Sequence, residues 1–386
     1  MTAPAHAERE VAISPARDKS DEISSFDPAE FPTPTGREEQ FRFTPLRRIR
    51  GFLSAFDITD GADVSLSAAD PRMIGFDVAQ GPVVAGQWLT PVDLPSALAW
   101  SGADRIIGVT VPSGVEVVEP ITVAIVGRTS SYQSIRITVE HDSRATVIID
   151  HSGSGTHATN VEVEVGRRAA LTLVSVQNWS PDASHLGRIH THVGADASIE
   201  QVVATFGGDV VRLVSTVDYD GPGGSANLLG AFFADAGQHL EHRLFVDHAV
   251  PGCRSNVVYK GALQGEHAHT VWIGDVLIRG GAVGTSTYEI NRNLILTDGA
   301  RADSVPNLEI ETGEIVGAGH ASATGRFDDE QLFYLRSRGI PEAVARQLVV
   351  RGFFAEVLDA VKDEHLRTRL WSIVDSELGS GGAASE

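Results

Sequence analysis

The sequence contains very little cysteine, and this shortage excludes several kinds of site. Cys253 is the single cysteine among 386 residues. One thiol cannot form an internal disulfide, and it cannot build a Cys-rich zinc site or a four-thiolate iron–sulfur site within this chain alone. Such a composition fits a reducing compartment, so we expect a cytoplasmic protein. Cys253 itself is predicted to be a small buried side chain.

Lysine is almost as scarce, and the charge balance is strongly acidic. The three lysines are Lys19, Lys260 and Lys362, and none follows a G-x-x-x-x-G-K-[ST] loop, so the chain is not expected to hydrolyse a nucleotide. A formal net charge of -20 is the wrong sign for binding nucleic acid or an anionic membrane surface. Apolar runs of the roughly 18 residues that a membrane helix needs are absent from the sequence. The N-terminal residues also lack the basic and apolar segments of a secretory signal.

Alternating β-branched residues, in contrast, are abundant. From about residue 105 to 310, apolar side chains recur at every second position and predict many short strands. Examples are Ile121, Val123 and Ile125, then Ile135, Ile137 and Val139, then Val161, Val163 and Val165.

A weak repeat, in which a polar or glycine turn precedes an alanine, separates these strands. Its members are 143–145, 166–169, 194–197, 223–226, 265–268 and 299–302. Glycine supplies the positive φ of a corner, and each strand can bury its apolar face only against the next coil. The pattern predicts a mainly β fold with a β-helix or stacked β-solenoid core, and a β-sandwich or double-stranded barrel is the alternative.

Composition and helix signals divide the chain into five segments. They are a disordered tail (1–35), an N-terminal mixed helical region (36–104), the β-helix core (105–325), a C-terminal helical subdomain (326–378) and a second disordered tail (379–386). Within the N-terminal region, Thr44-Pro45 is a helix-start signal that predicts a short amphipathic helix over about 45–56.

Three helices are predicted after residue 326. Asp328 and Gln331 form a cap pair for the first helix, Gly339 ends it, and Pro341 opens the second. The apolar stripe of the second helix is predicted to be Val344, Ala345, Leu348, Val349, Phe353 and Val357.

Histidines supply the candidate sites. His320 lies among small residues in a predicted turn, where its imidazole has room to meet a metal or a partner's residue, although spacing alone favours a histidine hydrogen-bonded within the turn. His190 with His192, and His267 with His269, are spaced to project from one face of a strand, as two metal ligands would. Each pair lacks a carboxylate or third histidine at a fixed spacing, which favours polar residues on an outward face. Together with Glu266, the second pair supports an alternative function, a metal-dependent or carbohydrate-active enzyme on a β-helix or cupin-like barrel. Sugar-binding grooves are usually rich in aromatic residues, and aromatics are only 6% here.

Several segments resemble the SufB/SufD family of iron–sulfur cluster assembly proteins, and its SufD members in particular. The similar segments are Leu240-Glu241-His242-Arg243, Cys253-Arg254-Ser255, Tyr259-Lys260-Gly261, and the stretches 290–296, 306–310 and 329–340. The resemblance is good over about 240–358 and weaker before it.

This resemblance implies a right-handed parallel β-helix flanked by helical regions. It also implies a non-catalytic scaffold that pairs with a SufB-like paralogue through the end of the β-helix and docks a SufC-like ATPase on the C-terminal helices. The implied cofactor is a transient iron–sulfur cluster shared with the paralogue. A homodimer in isolation is compatible with this interpretation, and flavin use cannot be read from the sequence.

The family histidine that is implicated in cluster formation matches His320, which makes His320 the candidate ligand for the nascent cluster and for iron. The family turn usually reads C-S-H-G-A-T, whereas Ala318 occupies the cysteine position here, so imidazole is the ligand type that remains. The residues expected to bind the ATPase partner are Arg336, Arg338, Gly339 and Phe353.

Overall fold

The computed structural model describes residues 23–55, 61–78, 88–327 and 329–380, and it leaves the side chains of 329–331 and 380 undescribed. The predicted cap pair of Asp328 and Gln331 therefore lies outside what is described, as do 1–22 and 381–386 of the predicted tails. The remainder of the first tail includes a 3₁₀ turn at Pro28–Glu30.

The described residues form eighteen strands and four α-helices. The strands are β1 (Ala62–Ser67), β2 (Ile74–Val78), β3 (Arg105–Val111), β4 (Ile121–Gly127), β5 (Ser130–Val139), β6 (Arg144–Gly153), β7 (Thr156–Val165), β8 (Ala170–Trp179), β9 (Ser184–Val193), β10 (Ser198–Phe206), β11 (Val210–Tyr219), β12 (Ser225–Ala234), β13 (His239–His248), β14 (Arg254–Leu263), β15 (His269–Ile278), β16 (Ser286–Ile295), β17 (Arg301–Ile310) and β18 (Gly317–Arg326). The helices are α1 (Leu94–Gly102), α2 (Asp329–Ser337), α3 (Glu342–Leu358) and α4 (Glu364–Ser380). No helix in these stretches is long and apolar enough to cross a bilayer.

The strands build a two-sheet β-solenoid. Sheet A has the order β1-β4-β6-β8-β10-β12-β14-β16-β18, and sheet B has the order β17-β15-β13-β11-β9-β7-β5-β3-β2. Strands β3 to β18 pair in parallel and alternate between the sheets, so sixteen strands make eight coils, while β1 and β2 add antiparallel to β4 and β3. The predicted β-solenoid core is confirmed.

The space between the two sheets, which we call the interior, holds the main apolar core. Side chains alternate along each strand, so in β6 Val147 and Ile149 face the interior, and Val161 and Val163 face it from β7. These β-branched residues suit a pleated surface that is covered on both sides. The alternation in the sequence therefore gives the correct strands through most of the solenoid.

The corners between strands account for the sequence repeat and show that part of the predicted repeat is wrong. Corner residues with positive φ stack from coil to coil before the sheet A strands, and they are Asp142, Arg168, Asp196, Gly223, Gly252 and Gly284. The predicted members at 265–268 and 299–302 precede sheet B strands instead, so the predicted repeat combines two different corners. Cys253 follows Gly252 and is fully buried, at the corner position that Ala169 and Ala197 occupy in earlier coils.

The N-terminal residues cover the outer face of sheet B. α1 begins at the side chain of Asp93, which accepts the Ser96 N–H at 2.8 Å, and it packs on β5 and β7. The predicted helix over 45–56 is wrong for the described residues up to 55, which form turns and a 3₁₀ segment at Arg50–Phe52. Ile49 and Phe52 are buried in the apolar cluster that includes α1, and this packing outweighs the local helix signal.

The C-terminal helices cover the outer face of sheet A. Phe354 and Val357 of α3, and Leu370 of α4, are buried in one apolar cluster with Val202 and Phe233 of the sheet. The helices therefore share a core with the solenoid.

Gly339 ends α2 as predicted. The backbone N–H groups of Gly339 and Ile340 donate to the carbonyls of Arg336 at 2.9 Å and Leu335 at 3.3 Å, and Gly339 has a φ of 84°. This is the Schellman arrangement, in which glycine tolerates the left-handed conformation. α3 begins directly after Pro341.

Candidate functional site

The last coil of the solenoid, β17 and β18, forms an open end. No strand pairs with the outer edge of either one within the described residues. Pro306 lies in the middle of β17, and proline is tolerated at an edge because it has no backbone N–H to donate. Unpaired edges of this length are templates for pairing with another chain.

His320 lies in the middle of β18, so the prediction that places it in a turn is wrong. It is in register with Glu289 of β16, and the two side chains therefore lie on the same, interior face. The His320 side chain is 42% exposed, and its Nδ1 lies 3.8 Å from Glu289 Oε1, beyond hydrogen-bond distance. Its neighbours Gly319 and Ala321 are small, so the imidazole remains accessible at the open end.

Glu289 lies beneath His320 and is not singled out by the sequence reasoning. Its side chain is 1% exposed, and neither carboxylate oxygen makes a hydrogen bond of normal geometry in the part of the chain that is described. Burial, and to a lesser degree the charge of Asp275, raise the pKa of Glu289 to about 8, although the backbone N–H of Asn307 acts in the opposite direction. A buried carboxyl without a partner is costly and needs an explanation.

Polar side chains continue along the interior face of β16 and β18. Asn291 donates to the Tyr259 carbonyl at 3.1 Å, and Asn293 donates to the Asn291 side chain at 2.8 Å. Ser322 of β18 donates to Ser304 of β17 at 2.8 Å and so links the two edge strands across the interior. The interior at this end is polar, and among the described residues neither the His320 imidazole nor the Glu289 carboxyl makes a hydrogen bond of normal geometry.

Three of the four residues predicted to bind the ATPase are exposed. Arg336 forms an ion pair with Glu342 at 3.2 Å, Arg338 lies over the Tyr334 ring at 4.9 Å, and Gly339 is exposed in its turn. Phe353 is only partly buried, and the Lys260 ammonium lies 5.6 Å from its ring centroid. Phe353 therefore also helps hold α3 on sheet A.

Four exposed apolar side chains lie on the same helices. We call Phe333, Tyr334, Val344 and Leu348 the helical patch, and their exposed fractions are 75%, 56%, 43% and 49%. The predicted stripe of α3 is thus partly wrong, because Val344 and Leu348 face outward. α3 has apolar residues on two faces, and the face that contains Val350, Phe354 and Val357 is the one buried against sheet A.

The structure places the two other histidine pairs differently. His267 has a φ of 64° at a corner before β15 begins, so it does not share a strand face with His269 as predicted. His269 instead bonds Asp303 at 2.7 Å and approaches His239 at 3.1 Å. Groups of three potential ligands with metal-binding geometry are absent from the described residues.

His190 and His192 do share the outer face of sheet B, where both contact Asp218. The Trp88 ring stacks on His192 with the ring centroids 3.8 Å apart.

Comparison with known proteins agrees with this architecture. The model of the SufBD core domain of the SUF system for FeS cluster assembly matches residues 123–353. The chain belongs to the SufBD family. It is 50% identical over 372 residues to an iron–sulfur cluster assembly SufBD family protein of Mycobacterium bovis, covering 94% of each chain. A protein of the same description from Mycobacterium leprae is 50% identical over 366 residues, covering 92% of this chain and 93% of that protein.

More distant family members are also similar. The iron–sulfur cluster assembly protein SufD of Escherichia coli is 24% identical over 387 residues, covering 90% of each chain. A second SufBD family protein of Mycobacterium bovis is 28% identical over 209 residues, which are 54% of this chain and 24% of that protein. One organism therefore has two different SufBD proteins that are similar to this chain.

Proposed function

We propose that this chain is a non-catalytic, SufD-like scaffold on which an iron–sulfur cluster forms transiently in the cytoplasm, at an interface with a SufB-like paralogue. The observation that carries the proposal is the position of His320, an accessible imidazole at the open end of a thiol-poor solenoid. Because the one cysteine is buried at a corner in an earlier coil, thiolate ligands must come from the second chain.

The free edges of β17 and β18 support pairing with the paralogue. A chain with the same solenoid can add its own edge strands and continue both sheets. The similarity to two SufBD proteins of one organism fits such a pair. In the absence of the paralogue, the same edges would allow a homodimer.

The helical patch supports docking of a SufC-like ATPase. Exposed apolar residues on α2 and α3, together with the exposed Arg336 and Arg338, are typical of a protein interface. α3 contacts β12 and β14, and Lys260 of β14 forms an ion pair with Glu356 of α3 at 2.7 Å. Since β14, β16 and β18 are consecutive in sheet A, a displacement of α3 during nucleotide turnover would reach the strand that carries His320.

The test uses His320→Ala in the chain co-expressed with its SufB-like paralogue and SufC-like ATPase. We expect the complex to assemble and to contain much less iron and acid-labile sulfide than the wild type, because the side chain is exposed and its loss leaves no cavity. The matched control is His365→Ala, which removes an exposed histidine of α4. Wild-type iron and sulfide in the His320→Ala complex would overturn the role of His320.

A further inference from the structure

We propose that Glu289 supplies a second ligand to the iron that His320 receives, so that this chain contributes a histidine–carboxylate pair to the shared site. The inference rests on the proposed function and extends it by one residue. The two side chains come from adjacent strands, β16 and β18, whose parallel register places them side by side.

The distance between the donors suits one metal ion. Two ligands that each lie about 2.1 Å from an ion are separated by roughly 3.4 Å in a tetrahedral site and by roughly 4.2 Å when they are opposite each other. The observed 3.8 Å between His320 Nδ1 and Glu289 Oε1 falls between these values. Imidazole and carboxylate together are a common ligand set for ferrous iron.

The lack of hydrogen-bond partners supports a ligand role more directly. Glu289 is almost completely buried, yet neither oxygen makes a hydrogen bond of normal geometry within the described residues, and the nearby backbone N–H of Asn307 offsets its burial only in part. Other buried polar side chains of the same face, such as Asn291, have hydrogen bonds. A cation at the open end would compensate the cost of burying this carboxylate.

Gly274 provides a second, independent observation. It lies on β15, across the interior, and a Cβ atom at this position would collide with Glu289 Oε2 and with the Trp272 ring. The missing side chain is therefore what makes room for the carboxylate beneath His320. The same recess would hold Glu289 in place while an ion binds.

The pair is incomplete by itself, because two donors do not satisfy a ferrous ion. No third histidine, cysteine, aspartate or glutamate completes a metal-binding group in the part of the chain that is described. The remaining ligands would come from the paralogue and from incoming sulfide.

The test measures Fe²⁺ binding under anaerobic conditions to the purified complex of the full chain with its SufB-like paralogue, by competition with a chromophoric chelator. We expect Glu289→Gln to weaken Fe²⁺ binding by about tenfold or more, since even groups that only orient metal ligands contribute 10- to 100-fold. Glutamine keeps the volume of the side chain, so the complex should assemble normally. The matched control is Glu309→Gln, an exposed carboxylate of β17 at the same end of the solenoid, and it should bind Fe²⁺ as the wild type does.

The outcomes separate the two proposals. If His320→Ala weakens binding and Glu289→Gln does not, the ligand role of Glu289 is wrong and the scaffold function stands. If neither substitution changes the affinity, the scaffold function at this interface fails as well. Should Glu289→Gln prevent assembly, Gly274→Ala tests the same geometry with the carboxylate retained. Weaker Fe²⁺ binding by that variant supports the proposal, and unchanged binding overturns it.

Discussion

His242 provides a sharp prediction about the acid sensitivity of the solenoid. It lies on the interior face of β13 and is 2% exposed, with the rings of Phe232 and Tyr259 at centroid distances of 4.9 and 5.6 Å. Its Nε2 atom has no hydrogen-bond partner within the described residues. Burial lowers the pKa of His242 from 6.5 to about 3, and the charge of Glu241 opposes this shift only in part.

The direction of the effect follows from proton linkage. Because the folded pKa lies below the unfolded one, the unfolded chain binds a proton more readily, and this contribution to stability is lost as pH falls from 6.5 towards 3. A pH of 5 lies about 1.5 units below the pKa of the unfolded histidine, so protonation there stabilises the unfolded chain by about 2 kcal/mol. Phenylalanine has no proton to bind. The free energy of unfolding of His242→Phe, relative to that of the wild type, should therefore be about 2 kcal/mol higher at pH 5 than at pH 8.

Urea denaturation of the isolated chain at both pH values measures this difference. Other buried histidines, such as His151, remain in both proteins and cancel in the comparison. His365→Phe, at an exposed position of α4, is the control and should change stability equally at both pH values. Parallel pH profiles for the wild type and His242→Phe would refute the reasoning.

Two further substitutions test the coverings of the two sheets. Glu241→Gln should destabilise the chain by about 3–5 kcal/mol in urea denaturation, because Glu241 is fully buried between Arg212 at 3.3 Å and Arg243 at 2.6 Å, and both cations would lose the charge of this carboxylate. Arg212 would keep Asp93 at 3.6 Å. An unchanged midpoint would contradict this. Leu348→Ser should abolish capture of the SufC-like ATPase without lowering the unfolding temperature, since Leu348 is half exposed in the helical patch. The control is Val118→Ser, at an exposed residue distant in sequence from the helical patch, and this variant should capture the ATPase normally. Equal capture by both variants would exclude the helical patch as the docking surface.

Most of the solenoid could be predicted because its local and global patterns agree. Interior positions such as Val147 and Val163 alternate with the outer ones, and the strands follow from that period. The corner repeat was only partly correct, since glycine and alanine occur at both kinds of corner and the sequence does not say which one a segment occupies. The helix expected at 45–56 fails because Ile49 and Phe52 gain more from packing on the cover of sheet B than the helix signal provides.

The resemblance singles out His320 as a candidate, whereas nothing in the sequence points to Glu289. In β16 the apolar residues Ile290 and Leu294 face outward and pack against the apolar cluster beneath the C-terminal helices, while Glu289 and Asn291 face the interior. Alternation alone would place the apolar set inside. The polar interior becomes visible only when the helices that cover the outer face are known.

This reversal of the pattern is itself an argument for a composite site. In the middle coils apolar residues such as Leu228 and Val257 share the interior with neutral polar groups such as Gln201, whereas the final coils place a carboxyl there and leave two strand edges unpaired within the described residues. Both features lower the stability of the isolated chain, because buried polar groups and free edges each have a cost. A second solenoid that pairs with these edges removes the cost of the free edges. A cation held by Glu289 and His320 removes part of the cost of the buried polar groups. The end of the solenoid is therefore best understood as half of a site.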